Sequence, residues 1–382
     1  MDIRFQVKQV IKQAVQSIVL PVCYRMSLSR EVDRKLVVFA DAHHNSRPAA
    51  MELLYRQLKK SGKYRIAEHY LDYADAGAAA VAKHSIRFMK LYARAGAVVI
   101  CDNFLPAASC RKQGKTKVVQ LWHACGCYKK FGYDATDDIP EHYHGANVYR
   151  NADLVTVSGN AAVRPFASAM RLPEHCVRAT GVSRTDLYFS KTWRQRCVTQ
   201  FMDRYPQAKG KKVVLWAPTF RGNAGVPELP SLDLERLQKT LGDGYLVLAR
   251  LHPHLIPLLK NRRGSSLEAC ICDIPAEELY PVADVLIADY SSLIYEYLLF
   301  RKPLVLYVPD LAAYRRKRGF YMQIEEIPGE VVMEESLLAD AVKRAASVND
   351  RDMPIDAFLE KYMGACDGNA TARIAAWIAD AL

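Results

Sequence analysis

The stretch "ADVLIADYSSLIYEYLLFRKPLVLYVPD", residues 283–310, sets out the fold of this chain. An apolar run ends in an acid and two serines, continues as an apolar helical segment and closes with a second apolar run. Two such runs joined by a helix predict a β-α-β unit with parallel strands. The runs are continuous rather than alternating, which is typical of strands covered on both faces. The polar junction "DYSS" (289–292) is the part that needs a functional explanation.

The same rhythm extends over the whole chain. Strands are predicted at 35–41, 65–73, 97–103, 117–123, 154–159, 177–182, 212–219, 245–253, 269–275, 284–291 and 303–310, with helical segments between them. Each half therefore resembles a Rossmann-like domain, and the fold class is α/β with a cleft between two parallel sheets. We assign residues 1–190 to a first domain and 191–382 to a second. The charged segment 200–212 lies near the join, and the final helix 369–382 is expected to pack back on the first domain.

Composition narrows the class of protein. The chain has 382 residues, half of them apolar, and a formal net charge of +12. These values describe a globular protein with anionic partners such as phosphorylated ligands, acidic lipids or nucleic acid. The ten cysteines are scattered without a dense framework, which favours reduced thiols in a cytoplasmic protein.

The first segment, residues 1–23, has apolar side chains at helical spacing opposite Arg4, Lys8 and Lys12. This pattern predicts a basic amphipathic helix. Such a helix packs on its own domain or lies on an anionic membrane surface, and the pattern allows both. No apolar run reaches the ~20 residues needed to span a bilayer.

Ligands of doubly wound sheets bind beyond the carboxyl ends of the strands, so the polar residues that follow each predicted strand are the candidates for the site. They are His123, Gly126, Lys129, Ser158, Arg184, Thr219, Arg221, His252, His254, Asp289, Ser291 and Ser292. The chain has no GxGxxG motif, which counts against an ordinary dinucleotide enzyme.

In "DYSS", Ser292 is expected to cap the following helix, so that the serine hydroxyls and the first backbone N–H groups form a phosphate site. Glu296, one turn further, is expected to accept from ribose hydroxyls. The plainer alternative is a structural cap in which Asp289 stabilises the same turn. Arg221 and His252 favour the phosphate site, because both follow buried strands of the same half and can converge on one anionic group. Thr219 precedes Arg221 in the same loop, and His254 is as readily a structural residue.

"LWHACGCYKK" (121–130) is the most concentrated candidate in the first half. His123 is a candidate general base, Gly126 permits close approach of the backbone, and Lys129 adds charge. Metal binding is the alternative for His123 with Cys125, Cys127, His142 and His144. These residues match no standard zinc spacing, so we predict neither a metal nor a cofactor.

Six quoted segments resemble, in order, the CDP-glycerol glycerophosphotransferase family of teichoic acid synthesis. They are "LWHACGCYKKFGYD", "GVSRTDLYF", "VVLWAPTFRG", "LARLHP", the long block 283–321 and the terminal "DGNATARI". The chain reads "HACG" where members usually have His-Gly-Thr-Pro, which leaves the choice of acceptor open.

The resemblance implies a GT-B fold, a CDP-glycerol or CDP-ribitol donor, and peripheral attachment to the cytoplasmic face of the cell membrane, where the acceptor is a lipid-linked saccharide. It implies that His123 is the catalytic base, that His252, the second catalytic candidate, holds the diphosphate with Arg221, and that Ser291 and Ser292 complete this clamp. Thr219, Asp289 and Glu296 are expected on the donor side. Gly126, Lys129 and Arg184 are expected to assist the acceptor or a phosphate.

The predicted activity is transfer of a polyol phosphate, most simply glycerol phosphate, with release of CMP. Two alternatives remain at this stage. One is a GT-B glycosyltransferase that uses a UDP- or GDP-sugar. The other is a non-catalytic binder of anionic membranes or nucleic acid, against which the chain lacks zinc-finger spacing and an RNP aromatic signature. We therefore expect no nucleic-acid partner.

Overall fold

The computed structural model describes residues 13–28, 31–135, 138–139, 146–223, 226–252, 255–256, 258, 270–348 and 354–382. The chain divides into two compact units. Unit 1 comprises Met1–Ala124, Phe131–Asp186 and Gly364–Leu382, and unit 2 comprises Cys125–Lys130 and Leu187–Met363. The predicted division at residue 190 placed residues 125–130 in the first domain and residues 364–382 in the second. In the structure, residues 125–130 group with unit 2 and residues 364–382 group with unit 1.

Unit 1 is built on one parallel sheet. Its strands are β1 (Asp33–Asp41), β2 (Arg65–Tyr70), β3 (Ala95–Ile100), β4 (Lys117–Gln120), β5 (Leu154–Thr156) and β6 (Val177–Arg178). They lie in the order β2-β1-β3-β4-β5-β6, and every neighbouring pair is parallel. The carboxyl ends of all these strands therefore meet at one edge of the sheet.

Helices cover both faces of this sheet. They are α1 (Leu20–Met26), α2 (Ala49–Ser61), α3 (Ala78–Tyr92), α4 (Leu105–Ala108) and α5 (Val163–Met170), together with the C-terminal α13 (Ala370–Ala381). Successive strand residues point to opposite faces. Val38 joins a buried cluster with Phe88 of α3. Its neighbour Val37 joins a second cluster with Leu54 of α2 and Ile374 of α13, so the last helix is part of the core of unit 1.

Unit 2 has a second parallel sheet. Its strands are β7 (Lys212–Ala217), β10 (Tyr245–Ala249), β11 (Val285–Ala288), β12 (Leu304–Tyr307) and β13 (Glu330–Val332), in the order β10-β7-β11-β12-β13. A short antiparallel hairpin, β8 (Arg221–Asn223) with β9 (Val226–Glu228), follows β7.

The helices of unit 2 are α6 (Lys191–Arg204), α7 (Leu234–Leu241), α8 (Ala276–Leu279), α9 (Leu293–Leu298), α10 (Leu311–Arg318), α11 (Glu335–Ser347) and α12 (Ile355–Met363). Trp216 of β7 and Ile287 of β11 share a buried cluster with Leu237 of α7 and Leu338 of α11. Each buried side chain of this size stabilises the fold by about 1.5–3 kcal/mol, so this cluster contributes much of the stability of unit 2.

The predicted α/β class with two parallel sheets is confirmed. One predicted strand is wrong: in residues 270–275 only Ile271 pairs with the sheet, through a single bridge to Ala249, and the chain enters α8 after Pro275. The prediction also missed β13 and the β8-β9 hairpin, because each strand there has only three residues.

The described part of the predicted amphipathic segment, residues 13–26, is helical. Leu20 and Tyr24 pack into the core of unit 1, whereas Ile18 and Met26 are 63% and 83% exposed. Residues 1–12, which carry Arg4, Lys8 and Lys12, lie outside the described residues. Among the helices that the structure describes, none is long and apolar enough to cross a membrane.

Candidate active site

His123 is presented by a strained turn at the end of β4 in unit 1. The preceding Trp122 has φ +56°, a left-handed conformation that costs a non-glycine residue about 1 kcal/mol or more. Its N–H donates to the Gln120 Oε1 atom at 3.0 Å, which holds the turn. The Trp122 indole is buried and stacks on the imidazole at 4.6 Å. His123 itself stays 50% exposed, so one ring face is supported while the ring remains accessible.

Asp102 holds the imidazole from the end of the neighbouring strand β3. Its Oδ2 atom lies 3.1 Å from the His123 Nδ1 atom. Burial opposes ionisation of this carboxyl group, but the hydrogen bond and charge of His123 outweigh it and lower the pKa of Asp102 to about 2. A carboxylate on Nδ1 favours the tautomer whose Nε2 carries the free lone pair. The pair therefore has the geometry in which a carboxylate fixes the orientation and tautomer of an exposed imidazole.

The sequence prediction missed Asp102, although its position carried the signal. It is the first polar residue after the apolar run 97–101, as His123 is after the next strand. Residues 97–103 were interpreted as one strand, but β3 ends at Ile100. A second histidine, His43, has its Nε2 atom 4.0 Å from the Asp102 Oδ1 atom.

Arg184 also lies beside His123 in unit 1. Its Nη1 atom donates to the His123 carbonyl oxygen at 2.7 Å, so the guanidinium holds the backbone of His123 in place. Asp186, two residues on, accepts from the N–H groups of Ala370 and Thr371 and fixes the start of α13. Arg184 was predicted to assist the acceptor or a phosphate, and the structure adds this backbone contact.

Gly126 and Lys129 belong to unit 2 although they follow His123 closely in sequence. Gly126 has φ +66°, and a Cβ atom there would lie 2.3 Å from the Tyr295 ring. The close approach that the glycine permits is therefore to Tyr295. Lys129 pairs with Phe320 in an isolated antiparallel bridge.

The cysteines of this segment are buried. Burial raises the pKa of the Cys127 thiol to about 12, so it is a poor nucleophile or metal ligand near neutral pH. Within the described ranges no group of three or more His, Cys, Asp or Glu side chains is arranged to hold a metal. His142 and His144 lie outside the described residues.

In unit 2, Arg221 and the buried Asp289 form a partly buried network at the carboxyl edge of the sheet. The Arg221 Nη1 atom donates to the Asp289 Oδ2 atom at 2.8 Å and to the Thr219 carbonyl oxygen at 2.7 Å. Its Nε and Nη2 atoms donate to the two carboxylate oxygens of Asp310 at 2.6 and 3.0 Å. Asp289 accepts in addition from the Thr219 N–H at 2.9 Å.

This network changes the interpretation of Arg221. Four of its five N–H donors already bind protein acceptors, so in this conformation the guanidinium is not a vacant phosphate fork. Burial disfavours its charge, but Asp289 and Asp310 outweigh burial and raise its pKa. Arg221 and Asp289 together fix the loops after β7 and β11. The Thr219 Oγ1 atom, in contrast, is buried with no hydrogen-bond partner in the part of the chain that the structure describes.

The serines of "DYSS" precede α9, but the predicted cap is wrong in its chemistry. Ser292 occupies the N-cap position with helical backbone angles, φ −67° and ψ −14°, and makes no side-chain cap hydrogen bond. A serine cap requires an extended backbone, which this tight turn does not have. Instead the Ser291 Oγ atom accepts from the Leu293 N–H at 3.4 Å.

Glu296 is buried, with 4% of its surface exposed. Its carboxylate accepts a hydrogen bond from the Tyr188 hydroxyl group within unit 2. The carboxylate is therefore engaged inside the unit and is not presented to a ribose in this structure.

His252 follows β10 and is exposed. Its ring lies 5.0 Å from the Phe220 ring, in the loop that carries Thr219 and Arg221. The structure thus brings Phe220 and His252 to the same edge of the unit 2 sheet. His254 lies outside the described residues.

Fold and site together define the class of protein: an α/β fold of the GT-B type whose first sheet presents a histidine paired with a carboxylate. A solved structure of the wall teichoic acid polymerase TagF matches over 98% of this chain and 95% of that chain, with a TM-score of 0.75 and 21% identity. The chain belongs to the family described as CDP-glycerol:poly(glycerophosphate) glycerophosphotransferase, whose sequence model matches residues 22–380.

Two relatives show how the chain relates to this family in length. The teichoic acid ribitol-phosphate primase of Bacillus spizizenii (strain ATCC 23059 / NRRL B-14472 / W23) is 30% identical over 86% of this chain and 87% of its own length. The teichoic acid ribitol-phosphate polymerase TarK of Staphylococcus aureus (strain NCTC 8325 / PS 47) is 33% identical over 72% of this chain. That match spans 55% of the polymerase, so the chain covers about half of this longer relative.

Proposed function

We propose that this protein transfers a polyol phosphate from a CDP-polyol to a hydroxyl group of a lipid-linked acceptor in the synthesis of teichoic acid or a related cell-surface polymer. The observation that carries the proposal is the His123–Asp102 pair in a chain that the family model matches over residues 22–380. Family membership favours this reaction over sugar transfer from a UDP- or GDP-sugar and over a non-catalytic role.

In the proposed reaction, the acceptor oxygen attacks the phosphorus atom that bears the polyol. A new P–O bond forms as the bond between that phosphorus and the CMP oxygen breaks, and CMP leaves. His123 accepts the proton of the acceptor hydroxyl group at Nε2, and Asp102 stabilises the resulting imidazolium through Nδ1. Arg184 contributes by holding the His123 backbone.

Unit 2 is assigned the donor in this proposal. His252, Ser291, Ser292 and the unpartnered Thr219 Oγ1 atom supply donors and acceptors near the strand ends, where ligands of such sheets bind. Arg221, with Asp289, acts by fixing these loops, because most of its donors are already used. This role differs from the direct phosphate contact expected from the sequence.

The polyol is glycerol or ribitol. Glycerol phosphate is the simplest donor unit and the one in the family description. Ribitol phosphate is the second candidate, because the relative that matches 86% of this chain is a ribitol-phosphate primase.

We further propose that the protein works at the cytoplasmic face of the membrane. The exposed apolar side chains of Ile18 and Met26, together with the basic residues of the first segment, suit an anionic bilayer surface. Sedimentation with anionic vesicles and not with neutral vesicles would support this location.

The test of the reaction is CMP release from CDP-glycerol and CDP-ribitol in the presence of membrane extract. His123→Ala should lower the rate of CMP release by at least about 100-fold, because a general base contributes about that factor to the rate. Binding of the CDP-polyol should be retained. His175→Ala, an exposed histidine elsewhere in unit 1, is the matched control and should keep full activity. Loss of donor binding by His123→Ala would contradict the assignment of the base. Turnover of a UDP-sugar but of neither CDP-polyol would replace the proposed function.

A further inference from the structure

Unit 2 carries a group of cations that the proposed mechanism does not use. Helix α10 has the sequence "LAAYRRKR", and its Arg315, Arg316 and Lys317 side chains are exposed. None of these three forms an ion pair with a carboxylate of the described residues. Three adjacent cations without counter-charges give a locally positive surface.

A loop from earlier in the chain extends this surface. The Lys130 N–H donates to the Gly319 carbonyl oxygen at 3.2 Å, and the Arg318 Nε atom donates to the Lys130 carbonyl oxygen at 2.9 Å. Lys129 bridges to Phe320 in the same antiparallel arrangement. The loop 125–130 therefore lies against the end of α10. We define the basic cluster as Lys129, Lys130, Arg315, Arg316, Lys317 and Arg318.

Helix α10 connects the basic cluster to the loops after β7 and β11 of unit 2. Asp310, at the start of α10, accepts from Arg221 and from the Tyr290 hydroxyl group at 2.9 Å. One turn further, Tyr314 stacks on Tyr290 at 3.8 Å. Helix α10 is thus fixed at its beginning to the loops after β7 and β11, and its basic end is held by the loop 125–130.

The charge balance separates the two parts. Arg221 faces Asp289 and Asp310, so one positive charge meets two negative charges, and the network carries a formal charge of −1. This network by itself does not attract a phosphate. The basic cluster has six cationic side chains, and it lies at the other end of the helix whose first residues contact the loops after β7 and β11.

An unsatisfied polar atom lies in the loop 125–130, beside the basic cluster. The Tyr128 Oη atom is buried without a hydrogen-bond partner among the residues that the structure describes. Its ring stacks on Phe320 at 4.7 Å, beside Lys129. Buried hydroxyl groups are rarely left without partners, so this tyrosine is held here by the packing of its ring rather than by its hydroxyl group.

We propose that the basic cluster binds phosphate oxygens of a substrate, and that this cluster, rather than Arg221, supplies the positive charge for them. The inference rests on the proposed function for the identity of that substrate. Two sources share this chemistry: the diphosphate of the nucleotide donor and a phosphate group of the acceptor. Separate measurements of donor affinity and acceptor KM distinguish these two sources.

The test compares wild-type protein with the double variant Arg315→Gln/Lys317→Gln. Both side chains are exposed, so the double variant should fold normally. Lys343→Gln on α11, also exposed, is the matched control. Binding of inorganic pyrophosphate and of CDP-glycerol is measured by calorimetry at about 0.05 M and about 0.2 M salt, and KM is measured for donor and acceptor.

Removing two exposed charge contacts should weaken pyrophosphate binding by about 5- to 25-fold at low salt and by less at high salt. Lys343→Gln should bind as wild type. A parallel loss of CDP-glycerol affinity identifies the donor, whereas a higher acceptor KM with unchanged CDP-glycerol affinity identifies the acceptor.

Wild-type affinity of the double variant for pyrophosphate and both substrates would overturn the proposal. Loss of binding to anionic vesicles alone would overturn it as well, in favour of a membrane contact. The pyrophosphate measurement does not depend on turnover. If wild-type protein releases no CMP from any CDP-polyol, the proposed function fails while the basic cluster is still tested.

Discussion

Replacing Asp102 by Asn tests whether this carboxylate makes His123 an effective base. The change keeps the shape of the side chain and removes its charge. In the structure, the Asp102 Oδ2 atom lies 3.1 Å from the His123 Nδ1 atom and the pKa of Asp102 falls from 3.8 to about 2. The lowered pKa corresponds to an interaction of about 2 kcal/mol that favours the ionised carboxylate.

Part of this energy comes from His43 and from the Asn103 N–H, so the His123 share is smaller than the whole. We therefore expect kcat of Asp102→Asn to fall by between about tenfold and about 30-fold. Affinity for the CDP-polyol donor should stay at the wild-type value, and this separation of kcat from donor binding is an effect that a purely structural role would not produce.

The assay is CMP release under saturating CDP-polyol, with donor affinity measured separately. Asp75→Asn, an exposed acid of unit 1, is the control and should leave kcat and donor affinity unchanged. Wild-type kcat in Asp102→Asn, or a lower kcat accompanied by an equal loss of donor affinity, would refute the positioning role.

Two further predictions concern stability. Gly126→Ala places a Cβ atom 2.3 Å from the Tyr295 ring on a residue with a left-handed backbone conformation. The free energy of unfolding, measured by urea titration, should therefore fall by about 2–5 kcal/mol. A loss below about 1 kcal/mol would contradict the close approach of Gly126 to Tyr295. Burial, with a further contribution from His69, lowers the pKa of His84 from 6.5 to about 4, so the unfolded chain binds a proton between these pH values and the folded chain does not. The contribution of His84 to the free energy of unfolding is therefore fully present above pH 6.5, and the free energy should fall by about 3 kcal/mol as the pH drops to about 4. In the same urea titration, His84→Gln should lose this part of the pH dependence. An unchanged pH dependence in His84→Gln would count against this assignment.

The sequence located the strand ends better than it located the contacts there. His123 directly follows an apolar run, and Arg221 lies four residues after one, so the sequence identifies both. Asp102 follows the same rule but was absorbed into an overlong strand, because an apolar pattern alone does not show where hydrogen bonding to the next strand stops. The Ser292 cap failed because a serine at a helix start caps only when its own backbone is extended.

What the sequence determined by itself is the α/β architecture, since continuous apolar runs separated by helical segments are buried only as parallel strands between helices. It also determined which edge of each sheet carries the polar chemistry, because the residues after each run are fixed by chain order. Only the tertiary structure decided which of those side chains already form hydrogen bonds with other protein groups. Arg221 is held between Asp289 and Asp310, which lie 68 and 89 positions further along the chain, and residues 125–130 group with unit 2. The physical reason is that a local pattern records burial and direction, whereas an ion pair between distant residues depends on distances that only the packed chain sets.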